Sequence, residues 1–492
     1  MLDRLRAKAF GLFRPFVMLL AATAIGVYLV LGVLHLRYPY ELEWMEGGIV
    51  DEILRVAAGQ KIYVRPTLDY VPFLYAPLYI YVSAAFTKLL GPGFLAPRLV
   101  SYLASIGAIA LIGRFVHRET RGAFFPSLFA AGLFAATYCQ SAAFFDIARV
   151  DSLFLLLALG ALYTLRFSPT PRGQALSALL LVLAFLTKQS ASVLVVPMAF
   201  FAVLRDRKKA WIFGVCAIGG IVGSAALLDV VHGGWFSYFV LWLPRQHPLV
   251  GRMAYDFWIL DLLGPLGIAC LGGLFYLLVG ATDPEARRFH ALMAAGMLFI
   301  AWTGRLHAGG WPNVIMPGFA MIAILAGLGA HSAFVLAGEA PEKSRRIEAL
   351  VLLAAALQLG SLVYDPKRVV PTAADRQAGD AFVASLRAMD GEVFLPAHGY
   401  LLTLAGKPTH AHEMAMEDIL GIGGGKPGAA LLAEVRKALK EKRFSVVIPD
   451  TGWHQREIDE SYRRQRDAII DPAAFFPVTG MRTRPKGVYL PR

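Results

Sequence analysis

The sequence predicts a polytopic α-helical membrane protein of about eleven spans, with interface helices in its first outer loop and a soluble α/β domain at its C-terminal end. Three observations predict it. Of 492 residues, 57% are hydrophobic and only 17% charged, with a mean hydropathy of +0.55. Such values lie far from a soluble average. Apolar runs that cross or nearly cross a bilayer fall at about 16–37, 97–116, 122–139, 151–166, 174–188, 190–204, 210–230, 257–280, 289–304, 312–336 and 347–364. Beyond residue 365 the apolar runs stop, and strand-like segments alternate with helix-like ones.

The elements follow in order. A basic N-terminus (Arg4, Arg6, Lys8, Arg14) leads into the first run, which reads as an uncleaved span because no small-residue cleavage site follows it. An outer loop, 38–96, comes next. It opens on Glu41, Glu43 and Glu46, three carboxylates at a membrane exit. Carboxylates are costly in hydrocarbon and do not pack, so the cluster suggests chemistry at the bilayer surface. The run 74–90 is apolar and aromatic. Counting it as a span would turn every later basic loop outward, so it reads as a helix in the outer interface. With the N-terminus inside, the inner loops and terminus hold 18 Lys and Arg in about 50 residues, against 11 in the much longer outer loops. This satisfies the positive-inside rule. An odd span count then puts the tail on the periplasmic or extracellular side.

Two domains result: 1–365 in the membrane and 366–492 outside it. In the tail, helices are expected over 373–389 and 429–442, and strands over 392–396, 444–449 and near 475–490. The net charge of +13 sits in short loops and in the tail, and calls for no nucleic acid. Cys139, Cys216 and Cys270 lie in or beside apolar runs and offer neither a disulfide framework nor metal spacing. The tail histidines His398, His410, His412 and His454 fit no standard zinc spacing and read as solvated. The glycine-rich turn from Gly421 to Pro427 lacks the spacing of a phosphate loop and reads as a flexible loop.

Ionisable residues gather at one face. The outer side collects Glu41, Glu43, Glu46, Asp51, Asp69, Asp146, Arg149, Asp151, Lys188, Gln189, Arg245, His247, Arg305, His307 and Asn313, while span middles stay almost free of charge. A transporter, the first alternative, would place polar groups near the midplane. A Lys in the tight outer hairpin around Lys188 costs desolvation unless it meets an anion, and a phosphate at the membrane surface supplies one. Structural readings stand beside each of these. Glu41 could anchor the interface beside Tyr38 and Tyr40, Asp146 and Arg149 could form a simple helix pair, and Asp151 could complement a helix N-terminus.

The acid-Gly pair Glu46-Gly47, Ala57-Ala58-Gly59-Gln60, Ile62-Tyr63, the stretch Tyr75-Ala76-Pro77-Leu78-Tyr79, Gly91 and Arg98-Leu99-Val100-Ser101 resemble the first outer loop of GT-C glycosyltransferases. The likeness is greatest to the protein O-mannosyltransferase and aminoarabinose-transferase branch. Glu46 and Gly59 keep that branch's spacing. Met45 breaks its usual acidic pair, and Glu43, three residues earlier, is a substitute on the same helix face. The resemblance implies an enzyme that moves a sugar from a polyprenyl-phosphate donor to a glycan, lipid or protein acceptor at the outer face of a bacterial inner membrane. It implies no obligatory cofactor, although the acid-rich loop offers oxygen ligands for a divalent cation.

The expected roles follow from that chemistry. A carboxylate takes the acceptor's proton, and cations stabilise the departing phosphate. Glu46 is the expected base, with Glu43 the alternate, and Asp146 or Asp151 positions the acceptor or a partner cation. Lys188, Arg149, His307 and Arg305 hold the donor phosphate. Glu41, Gln189, Tyr75 and Asn313 line the substrate. A lipid-linked oligosaccharide ligase, the second alternative, would use the same cations.

Overall fold

The computed structural model describes residues 2–280, 282–338, 341–421 and 424–492. The side chains of the N-terminal Arg4, Arg6 and Lys8, that of Lys343, and Ile422 with Gly423 of the glycine-rich turn lie outside the described residues. The membrane half runs α1 (Leu2–Leu36), α2 (Glu46–Ala57), α3 (Leu78–Leu90), α4 (Leu95–Glu119), α5 (Phe124–Ala136), α6 (Asp151–Phe167) and α7 (Pro171–Thr187). It continues with α8 (Val195–Arg205), α9 (Ala210–Val231), α10 (Met253–Asp256), α11 (Gly264–Phe275), α12 (Pro284–Leu306), α13 (Met316–Gly338) and α14 (Pro341–Ser361).

Each of the eleven apolar runs falls on a helix or on a continuous helical stretch. By length and apolar character alone, six helical stretches among the described residues could cross a membrane: Leu12–Leu36, Leu95–Glu119, Ala210–Val231, Met253–Gly280, Pro284–Leu306 and Pro312–Gly338. Phe124–Ala136, Pro171–Thr187 and Gln189–Arg205 are shorter than the roughly 20 residues that a perpendicular crossing needs. The most buried of the long ones, α13, packs against α4, α5, α11 and α12 at the centre of the bundle. At the end away from the first loop, Arg166 ties three helices together through Glu119, Asp283 and Glu285, at 2.6, 3.1 and 2.7 Å.

The stretch 74–90 yields only α3, because Pro77 precedes its first turn. It lies against α2 and α4, and its thirteen residues are too few to span. One expectation fails here. Glu43 and Glu46 do not share a helix face, since α2 begins at Glu46 and Glu43 lies in the turn before it.

The tail folds as a small α/β unit of α15 (Ala373–Arg387), β1 (Val393–Phe394), α16 (Tyr400–Leu404), α17 (Glu413–Leu420), α18 (Gly425–Lys440), β2 (Val446–Val447), α19 (Gln455–Ser461), β3 (Tyr462–Asp467) and β4 (Gly487–Pro491). Its sheet has the order β1-β2-β4-β3, with β1 and β2 parallel and the other pairs antiparallel. A Thr372 capping box starts α15, where Asp375 returns the hydrogen bond. Two short strands lie inside the expected segments 392–396 and 444–449. β3 was not expected. Its sequence from Tyr462 is charged and five of its six residues are exposed, so it carries no apolar alternation.

The tail docks on the first loop. Thr479 N–H donates to Leu42 O at 3.1 Å, and Ala411 N–H to Leu68 O at 2.9 Å. His412 Nε2 lies 3.2 Å from Trp44 O, and Arg443 spans Asp69 and Glu392, each at 2.8 Å. The reading of these histidines as solvated is corrected. His398, His410 and His412 are all buried, because this docking surface covers them. His398 sits between two carboxylates, Glu41 of the loop at Nδ1 and Asp450 of the tail 2.5 Å from Nε2. Those two charges push the imidazole pKa well above its ordinary value, against burial. Breaking a buried ion pair from one side costs about 3–5 kcal/mol. The variant His398→Ala is therefore expected to loosen the tail from the loop, seen as faster limited proteolysis of residues after 366 and a lower melting temperature. Wild-type protease resistance in that variant would refute the latch.

Candidate functional site

The loop end of the bundle is organised around one buried guanidinium. Glu46 opens α2, where the helix N-terminus favours an acid. Its Oε1 accepts from Arg98 Nε at 3.0 Å and from Ala148 N–H at 2.6 Å. Its Oε2 accepts from Arg98 Nη2 at 2.6 Å, Leu42 N–H at 2.7 Å and Glu43 N–H at 3.4 Å. Arg98 also donates to the carbonyls of His35, Tyr38 and Tyr40. Both side chains are 0% exposed. Glu46 thus has its oxygens filled, and it knits the end of α1, the first loop, α4 and the segment before α6 together.

Glu43 is placed differently. Its Oε2 lies 3.1 Å from Arg149 Nη1 and accepts from Met45 N–H at 3.2 Å. Burial raises its carboxyl pKa to about 7, the nearby Arg149 opposing that rise. Arg149 donates through Nη2 to the Tyr75 hydroxyl at 2.5 Å, and its Nε is buried without a partner. Two residues on, Asp151 heads α6 and holds Lys188 Nζ at 2.6 Å from Oδ1. Asn313 faces the same Asp151, and the neighbouring Gln189 donates to Leu74 O at 2.9 Å. The chain therefore brings Glu43, Arg149, Tyr75, Asp151, Lys188, Gln189 and Asn313 to one place.

Other expected site residues serve elsewhere. Asp146 neither pairs with Arg149 nor faces Lys188. It accepts from Tyr138 at 2.9 Å and lies 2.7 Å from His35 Nδ1, in a buried knot with α1. Arg305 gives its Nε to Asp261 at 2.7 Å and another donor to Gly310 O, so its charge is already neutralised. His307 meets His247 edge to face, with ring centroids 6.5 Å apart. Glu41 turns toward the tail latch. Sequence reasoning quoted Arg98 as part of a motif without giving it a role, and it missed Asp418 of α17, which lies 3.5 Å from His247 Nε2.

A further trio, Asp69, Glu392 and His410, brings ligand-type atoms within 4.8 Å of one another. Arg443 already bridges both carboxylates, and His410 Nε2 lies 2.8 Å from Glu392, which makes this an ion-pair knot between loop and tail.

Residues 74–231 match the family described as dolichyl-phosphate-mannose-protein mannosyltransferase. No curated protein sequence matches the chain. Among solved structures, ArnT from Cupriavidus metallidurans bound to undecaprenyl phosphate superposes with a TM-score of 0.58 at 14% identity, over 97% of this chain and 98% of that one. The archaeal oligosaccharyltransferase AglB from Archaeoglobus fulgidus gives 0.50 at 12% identity, over 88% of this chain and 70% of that one. The arabinofuranosyltransferase AftD from Mycobacteria gives 0.52 at 17% identity, with 96% of this chain covering 39% of that one. The chain shares its fold with these three structures, and the family match lies within residues 74–231.

Removing one partner of the Glu46–Arg98 pair leaves a bare buried charge, at a cost of about 3–5 kcal/mol. Arg98→Ala should lower the melting temperature and the yield of folded protein. Glu46→Gln should do so less, because the amide oxygen still accepts. Stability equal to wild type in Arg98→Ala would refute the clamp.

Proposed function

Starting from this glycosyltransferase fold, we propose that the protein transfers a sugar from a polyprenyl-phosphate donor to an acceptor hydroxyl or amine at the outer face of a bacterial inner membrane. The observation that carries the reading is the contact chain Glu43–Arg149–Tyr75 beside the pair Asp151–Lys188. It sets a proton acceptor next to two phosphate-seeking cations at one end of the bundle. In the reaction, the acceptor's lone pair attacks the anomeric carbon and forms the new glycosidic bond. The bond from that carbon to the phosphate oxygen breaks, and its electron pair leaves with the polyprenyl phosphate. A single displacement of this kind inverts the anomeric configuration. The acceptor's proton passes to a carboxylate.

Glu43 is the better placed of the two candidate bases, since Glu46 has no oxygen to spare. Near pH 7 its raised pKa allows it to exist as carboxylate and to hold a proton once taken, which suits a general base. Arg149 and Lys188 take the phosphate as negative charge grows on it, and their fixed partners spare reorganisation at that moment. Asp151 positions Lys188, and Asn313 and Gln189 border the same space.

Two outcomes follow for purified protein supplied with its donor lipid and acceptor. Glu43→Gln should fold and lose about 10²–10⁴-fold in kcat. In the wild type, kcat/KM should rise with pH with a midpoint near 7, because the carboxylate is the active form and its pKa is about 7. Full activity in Glu43→Gln would remove the base assignment.

A further inference from the structure

We propose that Asp418, brought by the tail domain, binds the sugar ring of the donor by exchanging hydrogen bonds with its hydroxyls. The inference rests on the transfer reaction proposed above and names the group that recognises the transferred unit.

Asp418 lies on α17, whose first turn is held by His412, the side chain of which accepts from Met414 N–H at 3.1 Å. His412 is itself seated on Trp44 of the first loop, so the docking of the tail fixes where α17 points. Asp418 is only 7% exposed. Among the described residues its ionic partner is His247, whose Nε2 is 3.5 Å from Oδ1, beyond good hydrogen-bond length. Burial raises the Asp418 pKa to about 8, with Arg149 pulling it down, which places the carboxyl in the field of the phosphate-binding cations. Tyr75, which touches Arg149, feels the same carboxylate.

The surroundings point to a missing ligand. Arg149 Nε, Asp151 Oδ2, Gln189 Oε1, Ser190 Oγ and His247 Nε2 are all buried without a hydrogen-bond partner. Buried polar groups are nearly always satisfied, and a group of orphans on neighbouring segments asks for a polar guest. That guest has two kinds of end. Its anionic end goes to Arg149 and Lys188. With its pKa at about 8 the Asp418 carboxyl is mostly protonated near pH 7, so it suits a group that can both give and take a hydrogen bond. A carboxyl can pair with two adjacent hydroxyls at once, donating to one and accepting from the other. A sugar attached to phosphate presents such hydroxyls one ring away from the anion.

The test measures binding to the full-length protein in lipid nanodiscs, with undecaprenyl phosphate alone and with a panel of undecaprenyl-phosphate hexoses as probes. The proposal expects Asp418→Ala to bind the bare lipid phosphate within about twofold of wild type and to lose about tenfold or more for the hexose lipid that wild type binds best. Asp418→Leu, which keeps about the same bulk without a polar atom, carries the same expectation and guards against a folding defect in the alanine variant. Equal weakening toward both lipids would mean a structural role and overturn the proposal, as would no change toward either. A wild type that binds hexose lipids and the bare lipid equally well would also overturn it, with the transfer reaction left standing. A wild type that binds neither lipid would remove the transfer reaction and this assignment together.

Discussion

A fully buried arginine sets the terms for the rest of this structure. Arg98 enters from α4 with no exposure to solvent, and a charge in that position must be met by acceptors on every side. It finds one carboxylate and three backbone carbonyls, all in or beside the first loop. The loop's path is therefore fixed by the need to satisfy one guanidinium. Glu46 is consumed in that task, and the turn before it holds Glu43 toward Arg149. Without the clamp there would be acids at the membrane edge but no defined geometry among them.

This division of labour explains what could and could not be read from the chain. The helical architecture was legible because apolar runs in a bilayer protein are long, and backbone hydrogen bonds leave few alternatives there. The expectation that 74–90 does not span came from charge balance across the loops, and the thirteen residues of α3 are too few to cross. Within the site, Glu43, Arg149, Asp151 and Lys188 could be named because charged residues near spans are rare enough to stand out. Their partners could not be assigned, since sequence spacing says little about contacts between segments a hundred residues apart. Asp146 and Arg149 look like a pair at three residues' separation, yet each bonds a different segment. Glu46 and Glu43 look interchangeable, and only the path of Arg98 separates them. Arg305, expected on the donor phosphate, pairs with Asp261 more than forty residues away.

The tail was the least legible part. Its histidines look solvated because their neighbours in sequence are polar or small, and only docking on the first loop buries them. Four of the six residues of β3 are charged, and its pairing is dictated by β4 and not by its own pattern. The loop and the tail share a latch at His398 and an ion-pair knot at Arg443, and Gly480 packs on the Glu43 side chain so closely that a Cβ there would lie 2.8 Å from its Cγ. The tail thus packs against the first loop beside Glu43, continuous with the membrane half.

The most direct test is a structure of the protein with undecaprenyl phosphate. The account predicts that the phosphate binds at the loop end of the bundle, in hydrogen-bond reach of both Lys188 and Arg149, with Glu43 beside it and Glu46 still on Arg98. A phosphate bound instead at the opposite end, among Arg166, Arg205 and their neighbours, would contradict it.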